Sequence, residues 1–251
     1  MTEGFTAADK RTASREIVLC CGMIRSASTL QYQVVAELVE RYGIGGRVGF
    51  ADQQSVSAVL RDAEKISGFA VIKVHEVLPE LDRRMQQEHP RCFYTFRDLR
   101  AVALSTMRKW GIPFTHVIAR NGWLESAVQS SVRWLAVTGV CVSRYEDMVL
   151  ALPAEIVKWA NAVGVCIPDG EAKQLAEEFS IAKQKERIEK IRSEKTADAN
   201  DYIDTRSLLH HDHILDGSFD SWKTELEGWQ IRQIERRFAD WQSRHGYPST
   251  S

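Results

Sequence analysis

No C-x-x-C pair occurs in this sequence, and its five cysteines (Cys20, Cys21, Cys92, Cys141 and Cys166) are an odd number. The missing pair argues against a zinc site, and the odd count argues against a disulfide framework. Most of these cysteines lie in or beside apolar, strand-like runs, where the thiol acts as a small hydrophobe. An excess of one charge is absent too, since 33 Lys and Arg face 34 Asp and Glu. That removes any global electrostatic case for nucleic acid or an anionic membrane as partner, while leaving room for a local basic pocket. No apolar run is long enough to cross a bilayer, and residues 1–15 lack the apolar stretch of a signal peptide. There is no internal repeat, low-complexity tract or interdomain linker. The expectation is a flexible leader over 1–15, a single domain over 16–251 and residence in the cytoplasm. A chain of 251 residues, 44% hydrophobic and 27% charged, is enough for one domain with a substantial core.

The most informative stretch is Glu16-Ile-Val-Leu-Cys-Cys-Gly-Met-Ile-Arg-Ser-Ala-Ser-Thr-Leu30. A short apolar run leads into a turn rich in Gly, Ser and Thr, and a helical pattern begins near Thr29. Strand, tight loop and helix present backbone N–H groups and a helix N-terminus to a phosphate. Laid on the P-loop template G-x-x-x-x-G-K-[ST], Gly22 takes the first glycine position and Thr29 the final hydroxyl. Ala27 stands where the second glycine belongs and Ser28 where the lysine belongs. The frame of a nucleotide loop is kept without the residue that reaches β- and γ-phosphates. A positive charge comes earlier, at Arg25. On this stretch alone, two readings stand: a phosphate loop for a nucleotide other than a triphosphate, or an ordinary β–α turn.

Further along, apolar runs at 69–74, 92–96 and 140–142 read as strands. They alternate with helical patterns at 30–39, 55–66, 78–85, 99–110, 121–137 and 154–163. Gly43, Gly45 and Gly46 read as the end of the first helix, and residues 47–54 carry no clear pattern. A charged helical stretch covers 171–195, a polar loop 196–217, and a terminal helix places Trp222, Leu226, Trp229, Ile234, Phe238 and Trp241 on its inner side. Buried strands alternating with helices predict an α/β fold of three layers. A central, mainly parallel sheet is flanked by helices, as in P-loop nucleotide kinases. Residues 165–217 read as a lid or cap rather than a separate domain.

Ligands in such folds sit beyond the carboxyl ends of the strands. Three strands end in chemistry-bearing residues, and a parallel sheet brings those ends to one side. The first ends in the loop Arg25-Ser-Ala-Ser-Thr29. The second ends in Lys73-Val-His75, where the imidazole suits a general base and the ammonium suits charge developing on a leaving group. The third ends in Arg97-Asp98 and feeds a helix bearing Ser105; a guanidinium fork and a hydroxyl together suit a phosphate. Taken singly, Lys73 with His75 also reads as a surface pair at a strand exit, and Arg97 with Ser105 as a helix-start ion pair and an exposed serine.

These motifs in this order resemble the sulfotransferases that use 3′-phosphoadenosine 5′-phosphosulfate (PAPS). The first loop is similar to the 5′-phosphosulfate loop R-S-G-S-T-L, with Ala27 replacing glycine. Phe69-Ala-Val-Ile-Lys-Val-His-Glu76 resembles the K-x-H strand whose His is the catalytic base in cytosolic members. Thr95-Phe-Arg-Asp-Leu-Arg-Ala-Val-Ala-Leu-Ser105 resembles the 3′-phosphate segment R-[DN]-P-x-D-x-x-x-S, with Leu99 in place of Pro and Ala101 following Arg100 where Asp is frequent. Arg144-Tyr-Glu-Asp-Met148 resembles the Y-E-D-[LM] element, whose Tyr lies near the nucleotide. Residues 217–223 resemble a C-terminal G-x-x-x-x-W-K segment, although Leu215 and Asp216 stand where cytosolic members carry Arg-Lys.

The resemblance implies transfer of a sulfuryl group from PAPS to a hydroxyl or amine of a small-molecule acceptor, leaving 3′,5′-adenosine bisphosphate (PAP). It assigns His75, Lys73 and Arg25 to the chemistry. Donor binding falls to Arg25, Ser26, Ala27, Ser28, Thr29, Leu30, Arg97, Ser105, Tyr145 and Gly217. No metal is expected. The alternatives are a P-loop-type kinase using ATP and magnesium, or a non-catalytic nucleotide-binding protein on the same fold. The run His210-His-Asp-His213 reads as a pocket edge or solvated loop rather than a metal site, because four adjacent loop residues do not all reach one ion. The acceptor and the oligomeric state are not legible in the sequence. Region 110–134, with Trp110, Trp123 and Trp134, is the candidate acceptor wall.

Overall fold

A computed structural model describes residues 15–193, 204, 206–209 and 218–250. In chain order the elements are β1 (Glu16–Gly22), α1 (Ser28–Arg41), β2 (Gly45–Phe50), α2 (Val56–Ala63), β3 (Phe69–Lys73), α3 (Pro79–Glu88) and β4 (Arg91–Phe96). There follow α4 (Leu99–Trp110), α5 (Phe114–Ile118), α6 (Trp123–Leu135), β5 (Cys141–Arg144), α7 (Tyr145–Leu150), α8 (Leu152–Ala162), α9 (Asp169–Glu178) and α10 (Ile181–Ser193). Then come α11 (Trp222–Glu225), α12 (Gly228–Arg237) and α13 (Ala239–Arg244).

The five strands form one sheet in the order β2-β3-β1-β4-β5, and every pairing is parallel. β1 lies at the centre, which is why its run Ile17 to Cys21 is apolar on both faces. Ile17, Leu19 and Cys21 face one core, shared with Tyr94, Trp134 and the terminal helices. Val18 and Cys20 face the other, shared with Val34, Val35 and Leu38 of α1 and with Trp159 of α8. The period of two along a strand thus builds the three layers. The winding reverses beside β1, with β3 on one side and β4 on the other, so a crevice opens above its carboxyl end.

Several expected elements differ. β2 occupies residues read as a helix end plus an unassigned stretch. It is an edge strand with little apolar content, so it lacks the signal of a buried strand. A Cβ on Gly45 would stand 2.1 Å from the Phe69 carbonyl oxygen, so the close pairing with β3 requires glycine there. The helix expected over 171–195 is two helices, broken at Phe179-Ser180. The terminal helix is three short ones, because Glu227 starts a new helix through a capping box with Gln230. That break turns Trp229 outward. It is 46% exposed rather than internal, with its ring edge-to-face against Phe114 at 5.3 Å. Short helices α5 and α7 were not expected. Among the described residues no helix is long and apolar enough to cross a membrane.

Candidate active site

The loop after β1 is fixed by its neighbour β4. Met23 N donates to the Thr95 carbonyl at 2.8 Å, and the buried Ser26 hydroxyl lies 2.5 Å from the Met23 carbonyl and 2.7 Å from Thr95 Oγ1. Ser26 therefore shapes the loop from beneath, with its side chain turned away from the cavity. A Cβ on Gly22 would fall 2.1 Å from Thr95 Oγ1, so only glycine allows β1 and β4 to close here. Arg25 and Ala27 have φ of 62° and 59°, in the left-handed region that side chains disfavour. The substitution of Ala for the expected glycine thus leaves the backbone shape intact at an energetic cost. Ala27 offers no side-chain cap to α1, and no acidic residue lies in its first turn. The first N–H groups of α1 consequently face the crevice ready for an anion.

Lys73, at the end of β3, is buried, and its Nζ donates to Ser28 Oγ at 2.9 Å. Burial with no carboxylate partner lowers its pKa from 10.5 to about 8. His75 comes just beyond the strand. Its Nδ1 is 3.5 Å from the Gly22 carbonyl and its ring lies 5.6 Å from that of Phe50. His75 is an exposed residue on the lining of the cavity. The Lys73 charge, followed by desolvation, lowers its pKa from 6.5 to about 3, against the opposing pull of the Gly22 carbonyl. The ring is therefore neutral at physiological pH, the form in which it accepts a proton. Its backbone is held from behind, because Trp134 Nε1 donates to the His75 carbonyl at 3.2 Å and Ser130 Oγ does so at 3.4 Å. Trp134 is fully buried and belongs to the core.

The third cluster joins the first. Arg25 Nε donates to Ser105 Oγ at 2.9 Å. Arg97 donates to the Arg25 carbonyl at 3.2 Å and to the Ser218 carbonyl at 2.5 Å, and its guanidinium lies 3.9 Å from the centre of the Tyr145 ring. The next residue, Asp98, caps α4 by accepting from Arg100 N at 2.9 Å. Arg100 itself points away, paired with Asp98 at 2.7 Å and Glu235 at 2.5 Å and stacked on Trp222 at 4.0 Å.

All three strand ends open into one cavity of about 860 Å³. Residues 22–30, His75, Arg97, Ser105 and Tyr145 line it. One wing is walled by Trp110 and Trp123, stacked with ring centres 4.7 Å apart. The other is walled by Leu30, Phe179, Ile181 and Gln184. Gly217, the run 210–213 and the Leu215/Asp216 departure lie outside the described residues. Among the described residues no cluster of three or more metal-ligating side chains occurs.

No protein-family model matches the chain, and no curated protein matches it in sequence. Solved structures do match it in shape. Mouse sulfotransferase SULT7A1 complexed with PAP is 16% identical with a TM-score of 0.64, over 92% of this chain and 86% of that one. The chain has the sulfotransferase fold. Retinol dehydratase shares it in two complexes. That with retinol and PAP is 16% identical with a TM-score of 0.62, over 91% of this chain and 82% of that one. That with androsterone and the inactive cofactor PAP is 14% identical with a TM-score of 0.61, over 89% and 80%. On this sulfotransferase fold, sequence reasoning missed Thr95 as the anchor of the loop and Ser130 as a support of His75. Their only signal was position, one at the end of β4 and the other within the suspected acceptor wall.

Proposed function

We propose that the protein is a PAPS-dependent sulfotransferase acting on a hydroxyl or amine of a small molecule. The observation that carries the reading is the opening into one cavity of a neutral His75, of Ser28 with the buried Lys73 bonded behind it, and of the uncapped start of α1, beside Arg97 and Ser105. In this reading Ser28, Thr29 and the N–H groups of α1 bind the 5′-phosphosulfate, and Arg97 with Ser105 binds the 3′-phosphate. His75 takes the proton of the acceptor as its oxygen or nitrogen forms a bond to sulfur. The bond from sulfur to the 5′-phosphate oxygen breaks, and the charge appearing on that oxygen is stabilised by Lys73, Arg25 and the helix N-terminus. The transferred group carries less charge than a γ-phosphoryl group, so the reaction needs no magnesium, in keeping with Ser28 in the lysine slot. Residues 176–184 and Leu209 serve as part of a cap over the donor.

Thermal shift with PAP, ADP and ATP tests the donor. Stabilisation by PAP well above that by ATP is expected, and a response to ATP with magnesium alone would replace this reading with a kinase. Transfer of label from PAPS to a panel of phenols, alcohols and amines then separates an enzyme from a nucleotide-binding protein that transfers nothing.

A further inference from the structure

Arg97 and Tyr145 meet face to cation at the wall of the cavity, where the Arg97 guanidinium also donates to the Arg25 and Ser218 carbonyls. The residues beside them in sequence are tied together behind that wall. Asp98, next after Arg97, donates its backbone N–H to Glu146 Oε1 at 3.3 Å. Glu146 is next after Tyr145, and its second oxygen accepts from the Tyr247 hydroxyl at 2.6 Å. Arg144, which precedes Tyr145, lies over the Tyr247 ring at 4.8 Å and reaches Glu146 at 4.0 Å. One carboxylate therefore joins the β4–α4 turn to the β5–α7 turn, and one tyrosine from past α13 holds that carboxylate. A second tie runs in parallel. Glu235 accepts from Arg100, Ser249 and Thr250, and Arg100 also donates to the Pro248 carbonyl. Residues 247–250 thus converge on the start of α4, immediately behind Arg97.

We propose that Glu146 and Tyr247 are positioning residues for the 3′-phosphate site, fixing Arg97 against Tyr145 through the Asp98–Glu146–Tyr247 chain. The inference rests on the donor reading above, and it concerns residues that touch no substrate. Glu146 has little freedom while both its oxygens are bonded. Without the Tyr247 hydroxyl, Oε2 keeps only Arg144 at 4.0 Å, and the carboxylate swings away from Asp98. A displacement on the order of 1 Å at a guanidinium–phosphate contact is enough to lose most of its value.

The test compares PAP with 5′-AMP, which lacks the 3′-phosphate, by calorimetry on the wild-type chain and on Tyr247→Phe, Glu146→Ala and Glu146→Gln. Tyr247→Phe and Glu146→Ala are expected to weaken PAP about tenfold, the effect of one charged hydrogen bond, and to change 5′-AMP less than about twofold. Glu146→Gln keeps an oxygen for Asp98 and an N–H for the tyrosine oxygen, so it retains most of the PAP affinity. Equal weakening of both nucleotides, or no weakening of PAP, overturns the proposal. Melting temperatures identify a variant that fails to fold, and Glu146→Ala carries the same expectation from the other end of the chain if Tyr247→Phe is lost. A wild-type chain that binds PAP no tighter than 5′-AMP refutes the donor reading itself, and the inference falls with it.

Discussion

Lys73 Nζ and Ser28 Oγ are 2.9 Å apart, so the ammonium missing from the loop's lysine slot is supplied from the neighbouring strand. The serine in that slot is what meets it. A cation from β3 reaches the start of α1 from below, and its charge sits in a buried position without a carboxylate.

That arrangement destabilises the empty protein. The Lys73 pKa is about 8 folded against 10.5 ordinarily, so between those values the unfolded chain holds more protons and stability rises with pH. The penalty is fully present below pH 8 and vanishes above 10.5; the difference corresponds to about 3 kcal/mol at most. Lys73→Met is expected to be more stable than wild type at pH 7, to lose that advantage by pH 10.5 and to have no transfer activity. Denaturant unfolding at the two pH values measures it.

His75→Ala is expected to lower kcat by about 10²- to 10⁴-fold, the usual worth of a positioned base, while PAP affinity changes little. Retained turnover refutes the base assignment.

The pH profile carries a separate signature. With His75 neutral down to about 3 in the free protein, kcat/KM has no histidine limb between pH 5 and 7. It falls instead above about 8, as Lys73 loses its proton. A rise centred near 6.5 in kcat/KM contradicts this.

Ala27→Gly removes a side chain from a left-handed backbone position, φ 59°. A gain of about 0.5–1 kcal/mol in stability is expected, with donor KM equal or lower. Gly22→Ala does the reverse. Its Cβ meets Thr95 Oγ1 and the Ser28 side chain, so a loss of about 1–3 kcal/mol is expected together with weaker PAP binding. Thermal melts with and without PAP read both.

Much of the candidate site's arrangement was legible because each part is local. The loop, Lys73 with His75, and Arg97 with Ser105 are short segments at strand ends, and a parallel sheet brings such ends together whatever lies between. β2 was not legible because a glycine-bearing edge strand has neither an apolar run nor a clean alternation. Trp229 was misplaced because a continuous helical pattern hides the capping box at Glu227, which starts α12 on a new axis. The Glu146–Tyr247 bond joins residues 101 positions apart, and nothing in the local pattern of either announces the other.

Under the sulfotransferase reading, the Arg25 Nε–Ser105 Oγ bond joins the two proposed anion sites directly. It ties the loop to α4, so in that reading the spacing between the phosphosulfate seat and the 3′-phosphate seat is set before any nucleotide arrives. Under the sulfotransferase reading, that spacing selects regiochemistry on the ribose. An adenosine 2′,5′-bisphosphate carries the same charge and the same base, and it spans the wrong interval.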